Sequence, residues 1–314
     1  MDALALVTFR RDPVGGPVAD APHACPADAL TSRRRVVLLI HGFNVNEEHG
    51  RETYARFVGH LEDQLAIPRD APVADNRLVA LYWPGDADWG FAKPLAYMRS
   101  VPRARDIGAS LAELLDAAAG RTGTGFISVD IVAHSLGGRL ALETLLAVFG
   151  NPASRVRVDR IQFMAGAVPT FMLFDPDDTP RLRAAFESAL GVGAKSLWSS
   201  SDEVLSFAFP PGQTLAGDGE GFLPTALGHA KFPRGDELAR MDPVEMPGAG
   251  HGSYWGGDDP DDCAETARIA HEFLGLADAI ERATPARDPR ERAIADAAAV
   301  PARATPDRTT GESC

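Results

Sequence analysis

Residues 129–139 read Val-Asp-Ile-Val-Ala-His-Ser-Leu-Gly-Gly-Arg, an apolar strand that runs straight into a small-x-Ser-x-Gly turn. The turn leads directly into the apolar-periodic helix at 140–149. A serine on such a turn stands exposed at the carboxyl edge of a sheet, where a base reaches it from one side and a substrate from the other. Small residues are needed at Ala133 and Gly137, because strand and helix backbones nearly touch there. A strand, a tight turn and a helix in immediate succession leave few folds open, and they make Ser135 a candidate nucleophile.

A second element lies upstream. Residues 35–40 (Arg-Val-Val-Leu-Leu-Ile) form a continuous apolar run suited to a strand buried on both faces. It ends in His41, Gly42, Phe43 and Asn44, where Gly42 is expected to permit a turn outside ordinary backbone space. An acyl group under attack passes through a tetrahedral oxyanion that needs two hydrogen-bond donors fixed in advance. The backbone N–H after the serine, Leu136, is one candidate donor, and that of Phe43 is the other. His41 reads as a histidine that braces the loop.

With these motifs the chain resembles the α/β-hydrolase superfamily. Within it, the chain is similar to bacterial hydrolases that carry His-Gly-Phe-Asn, Tyr-Trp-Pro-Gly and Ala-His-Ser-Leu-Gly, here at 41–44, 82–85 and 133–137. The resemblance covers roughly residues 35–280 in order. It implies a mostly parallel twisted sheet with helices on both faces, a serine–histidine–acid triad and no cofactor.

The superfamily's triad runs Ser, then Asp or Glu, then His along the chain. Residues 194–205 read as a strand ending in a polar turn, with Asp202 just past the strand end. That position and the resemblance together select Asp202, with Glu203 the adjacent alternative and Asp175, Asp177 and Asp178 more distant ones. Of the later histidines, His271 lies within an amphipathic helix and His229 in a Gly- and Pro-rich loop. His251 sits in Pro-Gly-Ala-Gly-His-Gly-Ser-Tyr-Trp, between a strand near 243–246 and the last helix. The superfamily places its general base there, with His229 as runner-up.

The rest of the chain sets limits. Its 314 residues, 45% hydrophobic, suffice for one large core. Strands are expected near 3–9 (an edge strand), 35–40, 77–83, 127–133, 159–165, 194–200 and 243–246. Helices are expected near 48–65, 101–118, 136–149, 180–190 and 262–281. A hydrolase domain would cover 1–282, and 283–314, poor in large apolar residues, would be a disordered tail. No run of apolar residues is long enough for a membrane span, and the start lacks the pattern of a secretion signal. A net charge of -13 argues against nucleic acid and anionic membrane as partners. Cys25, Cys263 and Cys314 show no metal-like spacing and suggest no disulfide framework, which favours the cytoplasm. The acidic clusters at 175–178 and 258–262 precede helical patterns and read as helix-terminal carboxylates, not as calcium loops.

Between residues 166 and 178 there is too little chain for a cap domain. Two segments remain as walls of the site: 86–99, with Trp89, Phe91 and Tyr97, and the loop 207–240, with Phe209, Phe222, Leu223 and Phe232. Trp89, Phe91, Phe209 and Phe222 are candidate pocket residues, although such aromatics equally pack loops onto the body. The expected activity is hydrolysis of a small-molecule carboxylic ester. The same chemistry extends to thioesters, amides, lipids and acyl transfer. The competing class is a non-catalytic interaction protein on the same scaffold. A metal-assisted hydrolase lacks a ligand cluster at suitable spacing.

Overall fold

The computed structural model describes residues 4–11, 18–31, 35–64, 78–85, 93–174, 180–217, 219–230, 240–256 and 260–276. The chain divides into two units, Met1–Leu274 and Gly275–Cys314. The expected tail at 283–314 lies outside the described residues, as do Trp89, Phe91, Phe232 and Asp175, Asp177 and Asp178.

Eight strands form one sheet: β1 (Ala5–Arg10), β2 (Val18–Cys25), β3 (Arg35–Ile40), β4 (Leu78–Tyr82), β5 (Ile127–His134), β6 (Val156–Met164), β7 (Gly193–Trp198) and β8 (Met241–Glu245). Their order is β2-β1-β4-β3-β5-β6-β7-β8. Every pairing is parallel except β1 with β2. The expected edge strand β1 is therefore one place in from the edge. The covering strand β2 (Val-Ala-Asp-Ala-Pro-His-Ala-Cys) carries no apolar alternation and pairs through its backbone, so periodicity does not reveal it.

The central strands are buried on both faces, as their unbroken apolar runs require. All eight residues of β5 and all five of β4 are buried. Alternation divides them between two cores. Val36, Leu38 and Ile40 of β3 join Ile131 and Ala133 of β5 in a cluster with residues of α2 (Lys93–Ala119), α3 (Gly137–Gly150) and α5 (Pro180–Ala189). Val37 and Leu39, equally buried, lie outside that cluster. The other helical group is α1 (Glu47–Gln64) packed on α7 (Pro260–Leu274). Helices thus cover both faces of a parallel sheet, and α4 (Phe171–Phe174) adds one short turn after β6. Charges are also buried in this frame. Asp130 of β5 is fully buried, and burial raises its pKa, while Arg35 grips it with Nε at 2.6 Å.

Two expectations change here. The segment after β7 is not a plain loop. A π-helical turn, Val204–Ala208, runs into α6 (Phe209–Thr214), forming a helical strap, because Pro210 and Pro211 fall in the first turn of α6, where no backbone donor is lost. Cys25 is disulfide-bonded, which the cysteine spacing did not suggest. Cys263 is free and buried. Asp261 and Asp262 fall in the first turn of α7, where the helix dipole favours them. Among the described residues no helix is long and apolar enough to cross a membrane.

Candidate active site

The carboxyl edge of the sheet collects the candidates. Ser135 lies one residue past β5 with φ of 52°, a left-handed conformation that a non-glycine residue adopts at a cost of about 1–3 kcal/mol. The turn is held by its own backbone. The Ser135 N–H donates to Met164 at the end of β6, and the Ser135 carbonyl accepts the N–H groups of Gly138 and Ala167. Gly137, the first residue of α3, is small for a reason outside its own helix: a Cβ there would lie 2.6 Å from the His41 carbonyl oxygen and 2.8 Å from that of Ile40. The crowding partner is the end of β3.

Gly42 serves differently from expectation. It carries no left-handed φ; that conformation belongs to Asn44, with φ of 60° and its N–H on the Gly85 carbonyl. A Cβ on Gly42 would meet Ser135 Cβ at 2.7 Å. Glycine is required there by the close approach of two loops.

His251 lies between Ser135 and Asp202. Its Nδ1 is 2.8 Å from Asp202 Oδ2, and its Nε2 is 2.9 Å from Ser135 Oγ. A carboxylate only accepts, so Nδ1 carries the proton and Nε2 presents a lone pair to the serine hydroxyl. Asp202 is fully buried at the start of the strap, and its other oxygen accepts the Leu205 N–H at 2.9 Å. Glu203 beside it is exposed. His229, the runner-up base, meets Ser206 Oγ at 3.3 Å instead of Ser135. His271 lies half-buried on α7.

The His251 loop is tied down on both sides. A 3₁₀ turn, Ser253–Trp255, sets the Trp255 ring edge-on to Tyr54 and Phe57 of α1, with centroids at 5.4 and 4.8 Å. On the other side, His134 Nε2–H donates to the His251 carbonyl at 2.8 Å. Burial, then the charge of His251, pushes the His134 pKa down to about 3, so this imidazole is neutral. His134 stood inside the motif that identified Ser135, yet nothing in the sequence signals its bond to a residue 117 positions on. His41 is neutral too. Burial and then Arg10 lower its pKa to about 3, with Nδ1–H on the Gly42 carbonyl and Nε2 accepting the Trp83 N–H. It braces the loop, as its place at a strand end suggested.

Leu136 and Phe43 bring backbone amides to this edge. Among the described residues neither N–H is spent on an acceptor. Leu136 opens α3, so its N–H is one of the donors a helix leaves unsatisfied, at the positive end of the dipole.

The strap is fastened to α3 just beyond the serine. Arg139, buried, grips Glu220 with two bonds of 2.7 and 3.1 Å and donates a third to Glu143 at 2.7 Å. Gln213 also donates to Glu220, and the Tyr97 hydroxyl donates to Gln213 at 3.0 Å. Tyr97 stands edge-on to Phe43 at 5.4 Å. The strap thus reaches the loop that carries one amide through a chain of packed polar groups. Of the candidate pocket residues, Phe209 is buried beneath the strap, while Phe222 is 82% exposed. No three His, Cys, Asp or Glu side chains gather as metal ligands among the described residues.

The family described as "Alpha/beta hydrolase of unknown function (DUF900)" matches residues 26–181. The matched stretch contains β3 to α3, with Phe43, Ser135 and Leu136, on a mostly parallel sheet as expected. The chain has the α/β-hydrolase fold. The match ends before Asp202 and His251. Solved structures similar to this chain include a gene product of Listeria innocua, 13% identical, covering 77% of this chain and 94% of that one at a TM-score of 0.42. A Lactobacillus plantarum protein described as a cell surface hydrolase is 11% identical over 77% of this chain and 93% of its own, also at 0.42. A hyperthermophilic esterase of Pyrobaculum calidifontis is 13% identical over 78% and 76%, at 0.35. Likenesses this distant carry no argument about function. No curated protein matches the chain.

Proposed function

We propose that this α/β hydrolase is a serine hydrolase that cleaves carboxylic esters of small molecules through an acyl-enzyme, without a cofactor. The observation that carries the reading is the unbroken line from Asp202 Oδ2 to His251 Nδ1 at 2.8 Å and from His251 Nε2 to Ser135 Oγ at 2.9 Å. Ser135 Oγ attacks the acyl carbon as His251 Nε2 takes its proton. The C=O π pair moves to oxygen, and the Phe43 and Leu136 N–H groups receive that charge. Collapse expels the alcohol, which takes the proton back from His251. Water then repeats the sequence on the acyl-enzyme and frees the acid. Asp202 fixes the imidazole tautomer and stabilises the imidazolium that forms. Two unspent amides beside the strained serine support this reading over a scaffold without chemistry.

Wild-type protein is expected to hydrolyse p-nitrophenyl esters and to be labelled by a fluorophosphonate, and Ser135→Ala to do neither. Labelling of that variant at the wild-type rate would remove Ser135 as nucleophile.

A further inference from the structure

Eight large apolar side chains stand exposed among the described residues, and five of them belong to residues 204–223: Val204, Phe207, Leu215, Phe222 and Leu223. Phe207 is 77% and Phe222 82% exposed, the other three about half. They share a surface. Along the strap, Leu205, Phe209, Gly212 and Gln213 are buried, while Val204, Phe207, Ala208, Pro211 and Leu215 face out. The Leu223 N–H donates to Thr214 Oγ1 at 2.7 Å, which brings Phe222 and Leu223 beside Leu215. The strap is therefore apolar on both sides, and a helix of that kind ordinarily has a partner on each.

We propose that this outer face docks on a lipid surface without net charge. Three observations choose that occupant. First, no Lys or Arg occurs between Lys195 and Lys231, so the strap itself offers nothing to anionic headgroups or to an acidic partner, and the half-exposed Arg105 of α2 nearby is turned to Glu220 at 3.6 Å. Among the described residues of the strap and its flanks, the exposed charged group is Glu203, at one end. Second, with roughly 200 Å² for a phenylalanine and less for leucine or valine, the exposed parts of the five come to roughly 550 Å². That lies near the top of the roughly 300–600 Å² of the largest patch on an ordinary monomer, a size that often marks function, and falls short of the ~800 Å² each partner gives a stable protein interface. Insertion to the depth of a side chain at the headgroup boundary needs no further area. Third, the strap is not a free arm. Asp202 caps its start through the Leu205 N–H, and the Arg139–Glu220 pair and Gln213 hold its far end on α3. It follows β7, so it lies at the same carboxyl edge as Ser135 and His251.

Docking there brings the site's edge to the lipid, and on the reading of Ser135 as a nucleophile it points to esters that partition into lipid as substrates. The docking itself does not depend on that reading. The test is sedimentation of the full chain with phosphatidylcholine vesicles, wild type against Phe207→Ser/Leu215→Ser. Turnover of a water-soluble short-chain ester is followed in both. Wild type is expected to co-sediment and the double variant to partition at least tenfold less, with unchanged turnover of the soluble ester. Adding phosphatidylglycerol should not strengthen binding. Co-sedimentation without ester turnover in either protein would leave the docking standing and end the hydrolase reading. Wild type remaining in the supernatant, or equal partition of the two proteins, would overturn the proposal. So would a dimer in lipid-free buffer that the double variant dissociates, since the face would then be covered by a second copy.

Discussion

Asp202→Asn replaces one carboxylate oxygen by NH2 and asks whether Asp202 acts through His251. The wild-type side chain has two acceptors in use, Oδ1 for the Leu205 N–H at 2.9 Å and Oδ2 for His251 Nδ1–H at 2.8 Å. An asparagine has only one oxygen. If that oxygen stays on Leu205, the NH2 group faces Nδ1, which must give up its proton. The proton then sits on Nε2 and points at Ser135 Oγ, where a base was required. If the amide flips, NH2 meets the Leu205 N–H, leaving two buried donors face to face at about 1–3 kcal/mol apiece. The first arrangement should prevail, and with it the wrong tautomer. Such a change lowers turnover about 10⁴-fold where it has been made in a serine–histidine–aspartate triad, or about 5.5 kcal/mol of barrier. The assay is kcat for a p-nitrophenyl ester near pH 8, with the thermal midpoint recorded alongside. The variant is expected to keep its fold and lose three to four orders of magnitude in kcat. A folded variant within tenfold of wild type would refute the assignment of Asp202.

Gly42→Ala should disturb the same site by shape alone. Its Cβ would sit 2.7 Å from Ser135 Cβ, and Ser135 is pinned by its own turn; overpacking of this kind costs about 1–3 kcal/mol. A lower melting temperature and at least tenfold slower fluorophosphonate labelling are expected, and an unchanged pair of values would count against the close approach. The buried histidines give the protein a dependence on pH. His41 and His134 have folded pKa values of about 3 against an ordinary 6.5, so only the unfolded chain takes up their protons between those values. Their contribution is whole above pH 6.5 and is lost as the pH falls toward 3. Between pH 7.5 and 5 each should withdraw about 2 kcal/mol, read as a falling urea midpoint. A midpoint constant across that window would contradict their burial as neutral groups.

The parts of the fold that were legible in the sequence are those with a strong local period. The runs at 35–40, 78–82 and 127–134 are apolar without a break because both faces of a parallel strand are covered, and each appears as such. The helices at 47–64, 137–150 and 180–189 have ends within a residue or two of those expected. Illegible were elements formed by pairing or packing alone. The outer strand β2 has no pattern of its own, and the strap at 204–214 looked like a loop, since its prolines and glycine obscure a helix that forms against α2. The pocket expected from Phe209 and Phe222 divides in the same way. One is buried and the other exposed, because a helical turn separates what composition had grouped.

By itself, the order of residues determined the doubly covered sheet, the serine on a tight turn after β5 and the short list of acids and bases available to it. Side-chain patterns have a range of a few residues, and these features are that local. Only the tertiary structure decided which acid and which histidine meet Ser135, 67 and 116 positions further on. The same holds for Gly42, which must be glycine because Ser135 Cβ comes up against it. The neutral His134 joins this group, holding the carbonyl of His251. These are distances between loops that the sheet brings to one edge, and such distances are set by how the core packs, which leaves no mark in the sequence near the residues concerned.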